Sequence, residues 1–338
     1  MPSKPPSPKA LELARERLEE ALSEHPDDPT LLLLRCRADA RVGNYQAAAS
    51  YFERASRGFL DLGDLPSEAS ARLDGGMALS RAGFDDEARA FYQRGIAAFE
   101  LQEDALGAAH ARIALARHEL AHRQFGAARE ELERALEPLA EAEAYTELGW
   151  ACERLVELTR RDEHVEVVLE HARVAVEAAA KAHDREPFGG RLVTLGTLHR
   201  EAGNAGKARG YLNKALPYLR ESGPRSALLE ALLTLAELAT ERERREQALN
   251  YLEEALKIAD RGAPVVDRWR VRLQLATSVV DATPERARHL IGEVVTMMDE
   301  APGDRAAWLQ LASVQSRLGE AQAARESLAR ARPAGADY

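Results

Sequence analysis

Cysteine, lysine and aromatic residues are all scarce in this 338-residue chain, and each scarcity excludes something. The two cysteines, Cys36 and Cys152, lie in apolar helical stretches, which argues against a disulfide framework and for reduced, buried thiols. Aromatics make up 5% of the residues, so a core has to be assembled from small aliphatic side chains, and abundant alanine suits closely packed helices. Of 46 basic residues only six are lysine (Lys4, Lys9, Lys181, Lys207, Lys214, Lys257), a bias that reads first as codon usage in a GC-rich genome. A net charge of −10 lacks the cation excess that nonspecific binding to nucleic acid or an anionic membrane requires. No apolar run approaches the length of a membrane span. The proline-rich start, Met1 to Lys9, has no apolar h-region, so the expected location is the cytoplasm. Strand-like alternation of β-branched residues is missing throughout.

What the chain does have is a period. Ala55, Gly95, Ala135, Ala175, Ala215 and Ala255 stand 40 positions apart, and Ala48, Ala88, Ala128, Val168, Ala208 and Ala248 form a second ladder seven residues upstream. Tyr51-Phe52 answers Phe91-Tyr92, and Tyr211-Leu212 answers Tyr251-Leu252. Self-similarity at this spacing means stacked supersecondary units rather than one globular core. Each period reads as two amphipathic helices. Between Arg191 and Gly223, Leu192, Leu195 and Gly196 share a face, Gly203-Asn204 breaks the helix, and Ala208, Leu212, Ala215 and Leu216 line the second helix. Similar breaks fall at Gly43-Asn44, Gly83-Phe84, Ala282-Thr283-Pro284 and Gly319-Glu320. Longer joints are expected at Gly63-Asp64-Leu65-Pro66, Gly262-Ala263-Pro264 and Ala301-Pro302-Gly303.

These residues resemble the tetratricopeptide repeat, whose second helix carries a small-large-small trio. The last unit matches with Trp308, Leu311, Ala312, Gly319, Ala324, Leu328 and Ala331, and the first with Leu32, Cys36, Gly43, Ala48, Phe52 and Ala55. The resemblance implies an all-α, right-handed superhelical solenoid of about eight helix pairs, following a single N-terminal helix. Helix pairs are expected at about 29–60, 68–100, 108–140, 147–182, 188–221, 226–260, 268–300 and 304–332, with tails at 1–8 and 333–338. The family's usual repeat is shorter than the period here, which resembles the extended variant of bacterial signalling proteins. Unit four departs most, with Val168 and Ala172 where alanine and a large residue are expected. The final helix has Leu328 as its only large apolar residue and is expected to cap the array itself.

Three patterns suggest chemistry. His118-Glu119-Leu120-Ala121-His122 is a literal HExxH, the spacing that sets two imidazoles on one helical face around zinc with the glutamate activating water. The extended form fails, because Phe125 and Ala128 hold the glycine and third-histidine places. The expected reading is two ordinary histidines on a semi-exposed face, with no metal, no cofactor and no catalysis. Gly203 to Ala208 faintly resembles a phosphate loop but lacks the preceding glycine, the hydroxyl and the strand, and reads as a turn. Trp308 falls on a packing position, whereas Trp150 and Trp269 fall two places earlier. In the family's geometry that side faces the groove, where an exposed tryptophan anchors ligands.

Charge is the sharpest signal. The windows expected to form the first helix of each pair sum to +6, leaving −16 for the rest of the chain. The resemblance implies that first helices line the concave surface, so a relatively basic groove is expected. Its candidate residues are Arg37, Arg41, Arg81, Arg117, Arg160, Arg161, Arg200 and Arg317, with Trp150 as an aromatic anchor. The lysine and asparagine of the family's carboxylate clamp are replaced by Leu33 and Arg37, or by Ile113 and Arg117, so that mode of recognition is not expected. The expected function is a non-enzymatic scaffold or adaptor. It would hold a protein or peptide partner with an acidic or helical segment, as a monomer or weak homodimer. The alternative is a regulatory sensor whose superhelix is altered by a signalling peptide. Such sensors usually carry an effector module before the repeats, where only Met1 to Lys9 stand in this sequence. A zinc hydrolase built on His118 and His122 comes a distant third.

Overall fold

Apolar spacings of three and four become helix along nearly the whole chain. The computed structural model describes residues 8–161, 164–301 and 303–331; among them are seventeen α-helices and no strand. A single helix, α1 (Pro8–Glu24), precedes eight pairs, in which we call the first helix A and the second B. They are α2 (Pro29–Arg41) with α3 (Tyr45–Asp61), α4 (Leu65–Ala82) with α5 (Asp85–Leu101), α6 (Ala105–Ala121) with α7 (Phe125–Glu141), and α8 (Tyr145–Thr159) with α9 (Val165–Lys181). There follow α10 (Arg185–Glu201) with α11 (Ala205–Ser222), α12 (Arg225–Thr240) with α13 (Arg245–Ala259), α14 (Val265–Val279) with α15 (Pro284–Glu300), and α16 (Arg305–Arg317) with α17 (Ala321–Arg330). Packing divides the chain into two compact units, Met1–Ala178 and Ala179–Tyr338, with the division in the last turn of α9.

The turns obey a finer rule than the 40-residue period. Gly43, Gly63 and Gly83 adopt φ of +87°, +72° and +81°, and at the same twenty-residue spacing Glu103, Arg123 and Glu143 adopt +55°, +59° and +55°. In the second unit His183, Gly203 and Glu243 continue the series. Each left-handed residue lets the chain close the preceding helix. Asn44 N–H donates to Asp39 O at 2.9 Å and Gly43 N–H to Ala40 O at 3.3 Å, the paired bonds of a Schellman cap. Helix starts are set by aspartates: Asp28, Asp64, Asp104 and Asp304 accept from backbone N–H groups of the first turn at 2.8–3.2 Å. Leu65-Pro66 therefore belongs to the first turn of α4 and not to a joint. Proline is tolerated there because that N–H has no intrahelical partner to lose. Pro302 lies outside the described residues.

The two small-residue ladders are buried. Ala48, Ala55, Ala88, Ala128, Ala135, Ala208, Ala215 and Ala255 have no exposed surface, and Val168 is almost fully covered. Close approach explains the requirement: a Cβ added to Gly196 would stand 2.8 Å from Leu212 Cγ. The divergent unit four buries its departing residues too. Val168 and Ala172 are both buried, and Ala175 and Ala178 of α9 join Cys152 and Leu155 of α8 in one cluster with Ile113, Leu132 and Leu139. Both cysteines are buried, and neither is in a disulfide. In α17, Leu328 remains 46% exposed. Within each unit A helices also touch the next A helix: α2 with α4 and α4 with α6, then α10 with α12, α12 with α14 and α14 with α16. In the first unit that contact runs over α2, α4 and α6, which carry Arg37, Arg41, Arg81 and Arg117, and in the second over α10 to α16, which carry Arg200 and Arg317.

Candidate functional site

Successive A helices bring an arginine of one against the next, and the outcome differs from site to site. In the first unit Arg37 Nε donates to Asp74 Oδ2 at 2.7 Å, and its Nη2 to Ser70 Oγ at 3.3 Å. In the second, Arg200 pairs with Glu237 at 2.6 Å, and Arg317 pairs with Asp281 while approaching the Thr277 carbonyl. Gln274 also donates to Glu237, so that carboxylate is doubly held. These charges are compensated from within the fold. Arg160 is engaged as well. By contrast Arg41 and Arg81, 40 positions apart, are exposed and make no ion pair among the described residues. They flank one cleft with Asp74 and Met77 at its wall. Arg161, in the turn after α8, is likewise exposed.

Other A-helix arginines are turned away from this face. Arg112 bridges Glu100 of α5 and Glu131 of α7, the latter at 3.1 Å. Arg272 repeats the arrangement four periods later with Asp260 and Glu293, both at 2.7 Å. Arg72 pairs with Glu68 and donates to Ser56 of α3. These side chains are largely buried between an A helix and its flanking B helices. They account for part of the positive charge that the sequence assigned to the groove.

The tryptophans separate too. Trp308 is buried, as its packing position requires. Trp269 is also buried, at 5% exposure, and its indole N–H donates to Ala301 O at 3.0 Å, so it is a core residue and not a groove anchor. Trp150 alone is half-buried, with the Arg117 guanidinium carbon 4.4 Å from its ring centroid.

The HExxH segment occupies the end of α6. His118 is 3% exposed, which corrects the expectation of a semi-exposed face: its ring packs near Tyr92 of α5, and Nδ1 lies 2.9 Å from Ser80 Oγ of α4. Burial, and then the neighbouring His122, hold His118 below the usual imidazole pKa. Glu119 is buried with both oxygens accepting from Arg89, at 2.7 and 3.1 Å. A glutamate so occupied cannot serve as the water-activating base that a zinc peptidase needs. His122 caps α6, and its Nε2 is 3.1 Å from Asp85 Oδ1 at the start of α5. Asp85 escaped sequence reasoning: it is 33 positions from His118, and only the contact between α5 and α6 brings it there. The phosphate-loop lookalike is a turn, with Gly203 at φ +76° and Asn204 opening α11.

Family models described as tetratricopeptide repeat match residues 33–103 and 192–261. No curated protein matches the chain. Among solved structures it is similar to a signal transduction ATPase with numerous domains and a tetratricopeptide repeat sensor from Pyrococcus horikoshii. There the TM-score is 0.61 at 16% identity, over 97% of this chain and 53% of that one. It is also similar to the apo form of RapI, with a TM-score of 0.65 at 16% identity over 95% of this chain and 90% of that one. A third likeness is BtubC from P. vanneervenii, at TM-score 0.51 and 16% identity over 63% of this chain and 89% of that one. The chain spans about half the length of the first of these. At such identity the likenesses establish the fold.

Proposed function

Because this chain is a tetratricopeptide repeat protein, we propose that it is a non-enzymatic adaptor whose A-helix face, in the unit Met1–Ala178, takes up an acidic segment of a partner protein. The observation that carries this reading is the pair Arg41 and Arg81. They share a register on consecutive repeats, line one cleft, and have no intramolecular carboxylate to neutralise them among the described residues. Two exposed guanidinium forks at repeat spacing suit carboxylates on an extended or helical segment, each fork able to bind bidentately while remaining charged. Met77, exposed at the wall of the same cleft, offers an adaptable apolar contact. Arg117 on Trp150, with Arg161 beyond, extends the surface along the same unit.

The test is capture of partners from the native host by the purified chain, identified by mass spectrometry, followed by binding of the leading partner to charge-reversed variants. Arg41→Glu with Arg81→Glu should abolish that binding with helicity and melting unchanged. So should Arg117→Glu with Arg161→Glu. Reversals on B helices, Glu133→Arg with Glu177→Arg, should leave it intact. Binding should also weaken as salt is added, since exposed charges are screened within roughly 8 Å at physiological ionic strength. Loss through the B-helix reversals alone would place the working surface on the opposite side.

A further inference from the structure

The close of α6 and the start of α5 bring three ligand-type side chains together, and the arrangement is independent of the adaptor reading. One ligand atom each from Asp85, His118 and His122 lies within 4.8 Å of the others. Two of them, His118 and His122, are one helical turn apart, with ring centroids 4.5 Å from each other. The third approaches from the neighbouring helix. We propose that Asp85, His118 and His122 form a binding site for one divalent transition-metal ion of the zinc type, structural rather than catalytic, that clamps α5 to α6.

A second observation points the same way. His118 Nε2 is buried and has no hydrogen-bond partner among the described residues, although the ring's other nitrogen is matched with Ser80. A buried, unsatisfied ring nitrogen is costly. With Nδ1–H donating to Ser80 Oγ, the lone pair of Nε2 is free to bind a metal, and Ser80 fixes the ring as the outer partner of a metal-bound histidine usually does. The fit is close. Zinc bonds of about 2.0–2.2 Å in a tetrahedron place ligand atoms roughly 3.3–3.5 Å apart, which rotation of the half-exposed Asp85 and His122 side chains reaches from the present spacing. Two imidazoles and one carboxylate suit zinc, and the exposed side of the cluster leaves the fourth position to water. Arg89, a neighbouring cation, has its charge met by both oxygens of Glu119. That pairing also withholds Glu119 from catalysis, which separates this site from a peptidase centre.

The experiment uses tag-free full-length chain stripped with a chelator and then titrated with zinc alone, with calorimetry and thermal melting as readouts. Cobalt substitution provides a visible-absorption signature of the ligand field. The expected result is one zinc per chain, a raised melting temperature in its presence, and an absorption of the kind given by tetrahedral cobalt. Asp85→Asn and His122→Asn, both at half-exposed positions that leave the core intact, should each weaken binding by about 10–100-fold or more. Asp86→Asn, on a fully exposed neighbour, should not change it. No stoichiometric zinc on the wild-type chain, or equal uptake by wild type and both ligand variants, overturns the proposal.

Discussion

Arg117 of α6 lies over the ring of Trp150 of α8, its guanidinium carbon 4.4 Å from the ring centroid, so two consecutive A helices meet through a cation and an aromatic face. No carboxylate competes for Arg117 among the described residues, in contrast to Arg37 and Arg200 at related places. The contact is partly open to solvent, so its worth is about 0.5–1 kcal/mol. A double-mutant cycle of Arg117→Ala and Trp150→Ala in urea unfolding should return a coupling of that size. Additive effects would mean that the two side chains stand side by side without attraction.

Buried arginines between A and B helices should matter more than those on the A-helix face. Arg272 is 10% exposed and tied to Asp260 and Glu293, which keep 48% and 38% of their own surface. Its removal strands two carboxylates that water can still reach in part, so Arg272→Met should cost roughly 1–3 kcal/mol, below the figure for a fully buried pair. Arg270→Ala, at an exposed position on the same helix, should stay within about 0.5 kcal/mol. Denaturant midpoints of the two variants measure the contrast directly.

The same arginines show what the sequence reveals and what it hides. Helix pairs are legible because Ala48, Ala55 and their successors must be small wherever two backbones close up, and a 40-residue ladder of alanines carries that demand openly. Ala215→Leu should therefore overpack α10 against α11 and cost about 1–3 kcal/mol, read as a lowered melting temperature. The face of each A-helix arginine is not legible from a charge sum. Arg112 and Arg117 are five residues apart, which turns them roughly 140° around the helix, one into the crevice of Glu100 and Glu131 and the other onto Trp150. A window that counts both as groove charge merges opposite faces. The burial of Trp269 was hidden for a related reason: its partner, the carbonyl of Ala301, is 32 residues away. The metal-type cluster hid its third member likewise, since Asp85 and His118 meet only through helix packing.

The twenty-residue turn rule was half visible. Glycine marks it at Gly43, Gly63, Gly83 and Gly203, but Glu103, Arg123, Glu143, His183 and Glu243 hold the same left-handed conformation with side chains that give no sign of it. A non-glycine residue there costs about 1–2 kcal/mol, partly offset by the roughly 0.5–1 kcal/mol of chain entropy that glycine itself gives up on folding. Glu103 is exposed and its side chain has no partner among the described residues. Glu103→Gly should thus stabilise the first unit by a few tenths to about 1 kcal/mol, seen as a higher urea midpoint with an unchanged m-value. A destabilised variant would show that the Glu103 side chain contributes more than its backbone strain removes.

In the second unit His199 supplies a pH dependence. Its ring is 7% exposed and stacked on Tyr211 at 5.4 Å with planes 3° apart, and Nδ1 has no hydrogen-bond partner among the described residues. Burial first, and the charge of Lys207 second, lower its pKa from the ordinary 6.5. Where the folded pKa lies below the unfolded one, the unfolded chain binds more protons in the interval between them, so stability rises with pH there. The contribution of His199 is therefore complete above about pH 6.5 and is lost as the pH falls below it towards the folded value. His199→Leu keeps an apolar body against Tyr211 and removes the titration. Chemical denaturation between pH 5 and 7.5 should show wild-type stability falling on the acid side. The variant should show a shallower slope, with the remainder coming from the similarly depressed His118. Parallel profiles for the two proteins would mean that His199 is protonated as readily in the folded chain as in the unfolded one.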